Sequence, residues 1–190
     1  MVLRYYLVPG FASAANGDAE ALALLARILG GDDTSRLYRK LVLERKLAVQ
    51  AGADYQGGGL DSGRMALLAL AGTELPPQQL ETAIDDVLAD LARDGITPEE
   101  LTRAQLALEA ERVFETDNQE KRARRYGEGL THGRSLSDIE AAGHRTDAVT
   151  AADIMRVATE YLVARRSVTG TLVRPAAKPA ATVGAVPAKQ

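Results

Sequence analysis

His132 and His144 are the only two imidazole side chains in the 190-residue chain, so zinc ligation or general-base catalysis by histidine would depend on them. They lie twelve residues apart. The H-E-x-x-H and H-x-x-E-H sequences place two zinc ligands on one helix face, and neither histidine belongs to such a sequence. Glu140 lies between them in the sequence, and the three side chains could meet only if the fold brought them together. We predict that both histidines lie near helix ends and are exposed, rather than binding a metal.

The other side chains that carry catalysis also lack their motifs. The chain has no Cys, which excludes thiolate zinc sites and cysteine nucleophiles, and no G-x-S-x-G sequence marks a serine nucleophile. The glycine run 57–59 is not a phosphate-binding loop, because no G-x-x-x-x-G-K-[ST] sequence is present. Three pairs of acidic residues are expected at helix caps or on helix surfaces, where the helix dipole and solvent account for them: Asp32-Asp33, Asp85-Asp86 and Glu99-Glu100. We predict no catalytic, cofactor-binding or metal-binding residue in this chain, and its substrate-binding residues stay unknown.

Charge and hydropathy narrow the possible partners. The 23 Lys and Arg side chains are outnumbered by 26 Asp and Glu, a formal net charge of −3, so we predict no nucleic-acid partner. Charged residues interrupt every apolar run well short of the roughly 20 residues of a membrane span. Met1 leads directly into a strand-like segment without the basic start of a signal peptide. We expect the chain to begin inside a folded element and to be a piece of a longer protein.

Apolar periodicity predicts an α+β fold, with a mixed or antiparallel sheet of about four strands packed against several helices. Asn16 or Asp18 is expected to cap the first helix, which ends at Gly30-Gly31, two residues free to take a positive φ. A second, amphipathic helix is expected from the cap at 32–35 to about residue 46. Thr97-Pro98-Glu99-Glu100 predicts a capping box that starts a long helix. The strands are expected at 3–8, on both sides of the glycine run between 47 and 73, and at 167–173. We assign residues 1–174 to a single domain and residues 175–190 to a disordered Ala- and Pro-rich tail.

Residues 115–125 of the predicted long helix are polar on every side. A buried helix could not accommodate this pattern, so we predict a helix that faces solvent or a partner. Four cations are largely offset by three acids in the stretch, which argues against an RNA-binding arm.

The segment from Asp33 to Ala48, with Ser35-Arg36-Leu37-Tyr38 near its start and Leu47-Ala48 at its end, resembles a family signature. The signature, S-R-L-Y-x-x-L-R-x-x-x-x-L-A-Y, is that of the C-terminal half-domain of pitrilysin/insulinase-type zinc metallopeptidases, the group that includes mitochondrial processing peptidase. The order of the neighbouring elements also agrees with the family. A helix ending in Gly-Gly precedes the segment, and a hairpin and then the turn at 95–101 follow it. The resemblance covers residues 3–174.

The resemblance implies that the parent protein is a zinc metallopeptidase, with zinc and H-x-x-E-H in the N-terminal half. This chain would be the non-catalytic half that shapes the substrate chamber, inactive alone and holding no cofactor itself. The family places an Arg and a Tyr in some C-terminal halves, where they help to bind substrate. The matching positions here are Val42 and Val49, and valine cannot donate a hydrogen bond to an oxyanion.

The implied partners are the zinc-binding half of the same polypeptide, a second subunit carrying the Arg/Tyr pair, and a peptide substrate. The alternative is a catalytically silent structural subunit of a processing-peptidase-like complex. An unrelated ligand-binding module would require a closed apolar pocket within this chain. The hairpin at 47–73 is a candidate wall of the substrate chamber, because a free strand edge can pair with an extended peptide. By resemblance to bacterial members of the family, the periplasm is a more probable location than the cytoplasm.

Overall fold

The computed structural model of the chain describes residues 1–15, 17–72 and 75–173. Within these ranges it contains four strands, six α-helices, one π-helix and one short 3₁₀-helix. In chain order they are β1 (Val2–Pro9), α1 (Asp18–Gly30), the π-helix (Tyr38–Glu44), β2 (Ala48–Gln56), β3 (Ser62–Ala71), α2 (Pro77–Asp94), α3 (Pro98–Asp117), α4 (Gln119–Thr131), α5 (Leu136–Asp147), α6 (Ala151–Tyr161), the 3₁₀-helix (Ala164–Arg166) and β4 (Ser167–Thr171). The predicted tail at 175–190 lies outside the described residues. None of the described helices is long and apolar enough to cross a membrane.

The four strands form one antiparallel sheet in the order β2-β3-β1-β4. Val2, Tyr6 and Val8 of β1 are buried beneath the helices, and Met65 and Leu67 of β3 are buried on the same face. Intervening residues point to the opposite face, because side chains alternate along a strand. The predicted α+β class with a sheet of about four strands is confirmed.

Helix α1 forms the centre of the core. Ten of its thirteen residues are buried, whereas a surface helix buries a single stripe. The helix packs against β2 and against α3, α5 and α6. The sequence predicted only the face formed by Leu22, Leu25, Ala26 and Leu29; the remaining buried positions follow from the number of neighbours that surround α1.

A close backbone contact fixes the position of β2 against α1. A Cβ added to Gly30 would lie 1.9 Å from the backbone nitrogen of Ala53 and 2.3 Å from the carbonyl carbon of Gly52. Backbone atoms cannot move aside as a flexible side chain can. Gly30 is therefore required by this close approach, and Gly31 after it has a helical φ of −76° rather than the positive φ that the Gly-Gly pair suggested.

Two buried carboxylates connect the first turn of α1 to the C-terminal helices. Asp18 accepts hydrogen bonds from the Arg156 guanidinium at 2.6 Å and from the Tyr161 hydroxyl at 2.8 Å. Glu20 accepts one from Arg145 Nε at 2.7 Å. A buried carboxylate needs such partners to offset its lost hydration. These bonds attach α5 and α6 to the same end of α1.

The cap predicted for α1 differs from the observed one. Gly17, with φ of 77°, occupies the N-cap position and contributes no side-chain cap. Asp18 is the first residue of the helix, and its carboxylate is engaged by α6 instead. Asn16 lies outside the described residues.

The capping box predicted at Thr97 is present and is extended by an arginine. Thr97 Oγ1 accepts the Glu100 N–H at 3.2 Å, and Glu100 Oε2 accepts the Thr97 N–H at 3.0 Å. Arg36 donates to the same carboxylate at 2.7 and 2.6 Å, and to the Gly95 carbonyl at 2.6 Å. The Arg36 and Glu100 side chains are only 16% and 14% exposed. Burial acts to raise the pKa of Glu100, but the hydrogen bonds from Arg36 and the Thr97 N–H, together with the positive charges of Arg36 and Arg103, hold that pKa below its usual value.

Two predicted helices differ from the structure. The helix expected up to about residue 46 is wound mainly as the π-helix, and the Arg45 N–H reaches back five residues to the Lys40 carbonyl. The long helix expected through residue 125 breaks at Asn118, which has φ of −103° and ψ of 111°. The Asn118 side chain then accepts the Lys121 N–H at 3.0 Å and starts α4. The apolar period alone does not indicate either change of winding.

Gly30→Ala should lower the free energy of unfolding by about 2–3 kcal/mol, because the new methyl group would overlap the backbone of β2. Gly127→Ala is the matched control, since an added Cβ there meets nothing within 4 Å. In the middle of α4 that substitution should stabilise the protein by about 0.5–1 kcal/mol. Urea unfolding followed by circular dichroism measures both. Equal effects would contradict the close contact.

Glu100→Gln should cost about 3 kcal/mol at neutral pH, because Gln preserves the capping box but leaves the Arg36 charge buried without a counterion. Folding lowers the pKa of Glu100, so the pair stabilises the protein above the usual value of 4.5 and this contribution is lost as the pH falls below it. The difference from wild type should therefore shrink in acid.

Asp153→Asn is the control for this prediction. Asp153 occupies the same position in the α6 capping box, and its carboxylate bonds to Thr150 rather than to a buried arginine. We expect a loss below about 1 kcal/mol. Denaturant unfolding at several pH values measures both variants, and a pH-independent loss for Glu100→Gln would contradict the role assigned to its charge.

Candidate functional site

The helices cover one face of the sheet and leave the other accessible; we call the latter the open sheet face. On it, Leu7 of β1 is 64% exposed and Val168 of β4 is 74% exposed. Its apolar members are Leu3, Leu7, Ala66, Leu68, Leu70 and Val168. The solvent face of an antiparallel sheet is normally polar, and a contiguous exposed apolar area marks an interaction surface. The open sheet face is therefore the principal candidate site.

The hairpin end of the open sheet face is polar. The Arg64 guanidinium lies 5.2 Å from the centre of the Tyr5 ring and donates to Gln56 at 2.8 Å. Gln56 in turn donates to Asp54 at 2.8 Å. This row crosses three strands and places amide and carboxylate groups beside the aliphatic area, where they can bond to a peptide.

Strand β2 is an outer edge of the sheet, and within the described residues it pairs with β3 alone. The register shifts between Ala48 and Gln50, so Val49 is the extra residue of a β-bulge. Val49 is 59% exposed. The rest of the strand presents main-chain N–H and C=O groups to which an extended peptide can pair.

The structure gives Val42 and Val49 different surroundings. Val42 is half-buried in the π-helix and packs against the core, whereas Val49 lies on the exposed edge. The π-helix contacts β2. The two positions that the resemblance assigns to a substrate-binding Arg and Tyr therefore carry aliphatic side chains, and these can only contribute shape.

The histidines are not brought together with acids into a metal site. His132 is the half-buried C-cap of α4, and His144 is exposed in the last turn of α5. Among the described residues, no group of three or more His, Asp and Glu side chains could hold a metal ion.

The paired acids of the sequence have structural partners. Asp85 pairs with Arg4, and Asp86 pairs with Arg45 at 2.6 Å. Asp32 accepts from the Thr34 N–H at 2.8 Å. Burial acts to raise the pKa of Asp32, but its bonds to Thr34 and the positive charges of Arg103 and Arg27 together lower that pKa. These contacts give the acidic side chains a role in stabilising the fold, so acid–base catalysis is not needed to explain them.

An apolar cavity of about 190 Å³ lies between α2 and α6. Its walls include Leu88, Leu91, Met155 and Leu162. Ligand pockets usually measure about 300–1,000 Å³, so this cavity gives little support to a small-ligand-binding module.

The hairpin edge is predicted from the sequence, whereas the open sheet face is not. A signal for this face is present in β1, where Leu3 and Leu7 point to the face opposite to that of the buried Val2 and Val8. A strand that is apolar in both registers indicates that both faces will be covered.

Three comparisons with known proteins bear on this arrangement. Residues 5–108 match the family model described as the peptidase M16 inactive domain. No curated protein sequence is significantly similar to the chain. Solved structures share its fold, as the following cases show.

The inactive peptidase domain of a protein assigned as a zinc protease, from Bordetella parapertussis, superposes with a TM-score of 0.81 at 23% identity, covering 94% of each chain. A second protein so assigned, from Bordetella pertussis Tohama I, gives 0.79 at 23% identity, covering 91% of this chain and 93% of that one. A protease from Helicobacter pylori gives 0.80 at 24% identity, with 88% of this chain covering 40% of that one. The chain thus spans less than half of the last protein.

The family match covers more than half of the chain and includes α1, the π-helix, the hairpin and α2. The fold of the remainder agrees with that of the solved domains. The resemblance predicted from the Ser35–Tyr38 signature is confirmed: the chain belongs to the family of peptidase M16 inactive domains.

Proposed function

We propose that this chain is the non-catalytic C-terminal half of a zinc-dependent metalloendopeptidase and forms a wall of its substrate chamber. The open sheet face supports this proposal best, because its aliphatic area is more stable when covered by a companion domain or a bound peptide than when exposed to water. Family membership accounts for the absence of a catalytic motif. The zinc-bearing half, with its H-x-x-E-H helix, is the implied companion.

The described residues do not suit zinc, so the metal would be held by the companion half, where it activates a water for attack on the peptide bond. The contribution of this chain is binding. The free edge of β2 can align an extended substrate by main-chain pairing, and the open sheet face can exclude water beside it.

Val42 and Val49 cannot stabilise an oxyanion. A second subunit carrying the Arg/Tyr pair is therefore part of the proposal. The periplasm remains the predicted compartment by resemblance. One protein of the same fold, PqqL of Escherichia coli, is a periplasmic protease, although at 12% identity it shows the fold alone.

The purified 190-residue chain should bind no stoichiometric zinc at neutral pH and should cleave no peptide alone. Zinc content after dialysis against a zinc buffer, and hydrolysis of a fluorogenic peptide library, test this expectation. Tight one-to-one zinc binding would contradict the assignment of the chain as the half without metal.

Leu7→Glu should abolish association with the H-x-x-E-H domain of the same family from the source genome, because it places a charge on the aliphatic part of the open sheet face. Leu106→Glu on α3 is the matched control, since the two leucines are 64% and 60% exposed. Size-exclusion chromatography and zinc-dependent peptide hydrolysis of the mixture measure both variants. A stable complex without hydrolysis would favour the silent-subunit alternative, and equal effects of the two variants would contradict the proposed surface.

A further inference from the structure

A second concave surface lies between α4 and the turn that joins β2 to β3. It is a groove of about 590 Å³, which we call the basic groove. One wall is formed by Gly57–Gly59 together with Phe11 and Tyr55, and the other by α4 and the residues that follow it. Gly58 is exposed, and a Cβ added to it would still lie 3.8 Å from His132 Nδ1. The glycine wall therefore leaves room for a ligand to approach the backbone.

The basic groove carries excess positive charge although the whole chain is acidic. Two carboxylates line it, Glu115 and Glu128, and the cations that line it are Lys121, Arg124, Arg125 and Arg134. Lys121 and Arg124 are exposed on α4. Within the described residues, Arg124 pairs with Glu120 at 3.2 Å, an exposed pair of small energy, and Lys121 forms no ion pair. The break at Asn118 turns these cations towards the hairpin.

The two remaining guanidiniums bond to neutral acceptors. Arg125 donates to the Ile139 carbonyl at 2.8 Å, and Arg134 donates to the Asp138 carbonyl at 3.0 Å. These bonds fix the side chains without neutralising them. Burial, and then the positive charges of Arg145 and Arg125, lower the pKa of Arg134. A ligand carboxylate would relieve this repulsion.

An aromatic pair makes the groove rigid. Phe11 and Tyr55 meet edge to face with 5.6 Å between ring centres, and Arg134 lies 4.9 Å from the centre of the Phe11 ring. The Tyr55 hydroxyl donates to the Pro9 carbonyl at 2.8 Å. The cation Arg134 is therefore held in place before any ligand binds, which reduces the entropy lost on binding.

We infer that the basic groove binds an acidic peptide segment of a protein ligand. Its carboxylates pair with Lys121, Arg124 and the two fixed guanidiniums, as in other acidic motifs bound by clusters of arginine. The peptide backbone runs along the turn at Gly58, which is exposed and has no side chain in the way. This inference is independent of the zinc-bearing half, because every residue that it uses belongs to this chain.

The same features disfavour a nucleic acid. Glu115 and Glu128 stand among the cations and would repel an unbroken row of phosphates, whereas the carboxylates of a peptide can be spaced to avoid them. The face of Phe11 is already covered by Arg134, so it offers no stacking platform for a base.

Fluorescence anisotropy with the 190-residue chain tests the inference. The probe is a fluorescein-labelled peptide of alternating Glu and Gly, compared with the same peptide containing Gln in place of Glu. We expect the Glu peptide to bind at least about fivefold more tightly at low salt. The difference should shrink as sodium chloride is added, because exposed charges are screened.

Lys121→Glu should weaken binding of the Glu peptide by about tenfold. Arg122→Glu is the matched control, because this substitution makes the same change in net charge. Arg122 is exposed on the same helix but does not line the groove, so we expect less than about a twofold effect on binding. Thermal unfolding verifies that both variants fold. Equal binding of the Glu and Gln peptides, equal loss in the two variants, or stronger competition by a single-stranded oligonucleotide would each overturn the inference.

Discussion

The burial of α1 on nearly every side is the constraint on which the rest of this structure depends. A helix in that position must contact the sheet and the outer helices at the same time. Its C-terminal end meets β2 through glycine, at a separation that no side chain would permit. Its N-terminal end carries Asp18 and Glu20, and the arginines of α6 and α5 satisfy these buried carboxylates. The sheet edge and the C-terminal helices are thereby positioned by one element.

This arrangement uses only one face of the sheet. All the helices that surround α1 lie on its side, so the opposite face keeps an aliphatic area that burial within this chain does not remove. The chain thus combines a rigid scaffold with an exposed aliphatic face, and among the described residues no group of His, Asp and Glu side chains could hold a metal ion. The proposed function needs such a combination, because positioning a peptide requires a fixed surface rather than a nucleophile.

The signature that revealed the family has a structural role here. Ser35 and Leu37 are buried, and Arg36 connects this segment to the capping box of α3. The same segment continues into the π-helix, a winding often found beside functional sites, but its Val42 carries no polar group. The signature therefore identifies the fold, while Val42 and Val49 carry no polar group at the two positions where the resemblance implies a substrate-binding Arg and Tyr.

The sequence by itself determined the features that depend on neighbouring residues. The capping box at Thr97 formed as predicted, and Ser135 and Thr150 start capping boxes of the same kind, because a cap needs only a hydroxyl and an acid three residues apart. Alternating apolar residues likewise determined the strands. The tertiary structure decided the close approach of Gly30, the π-helical winding, the open sheet face and the basic groove. Each of these depends on groups distant in sequence, whose distances and charges are set only when the elements pack.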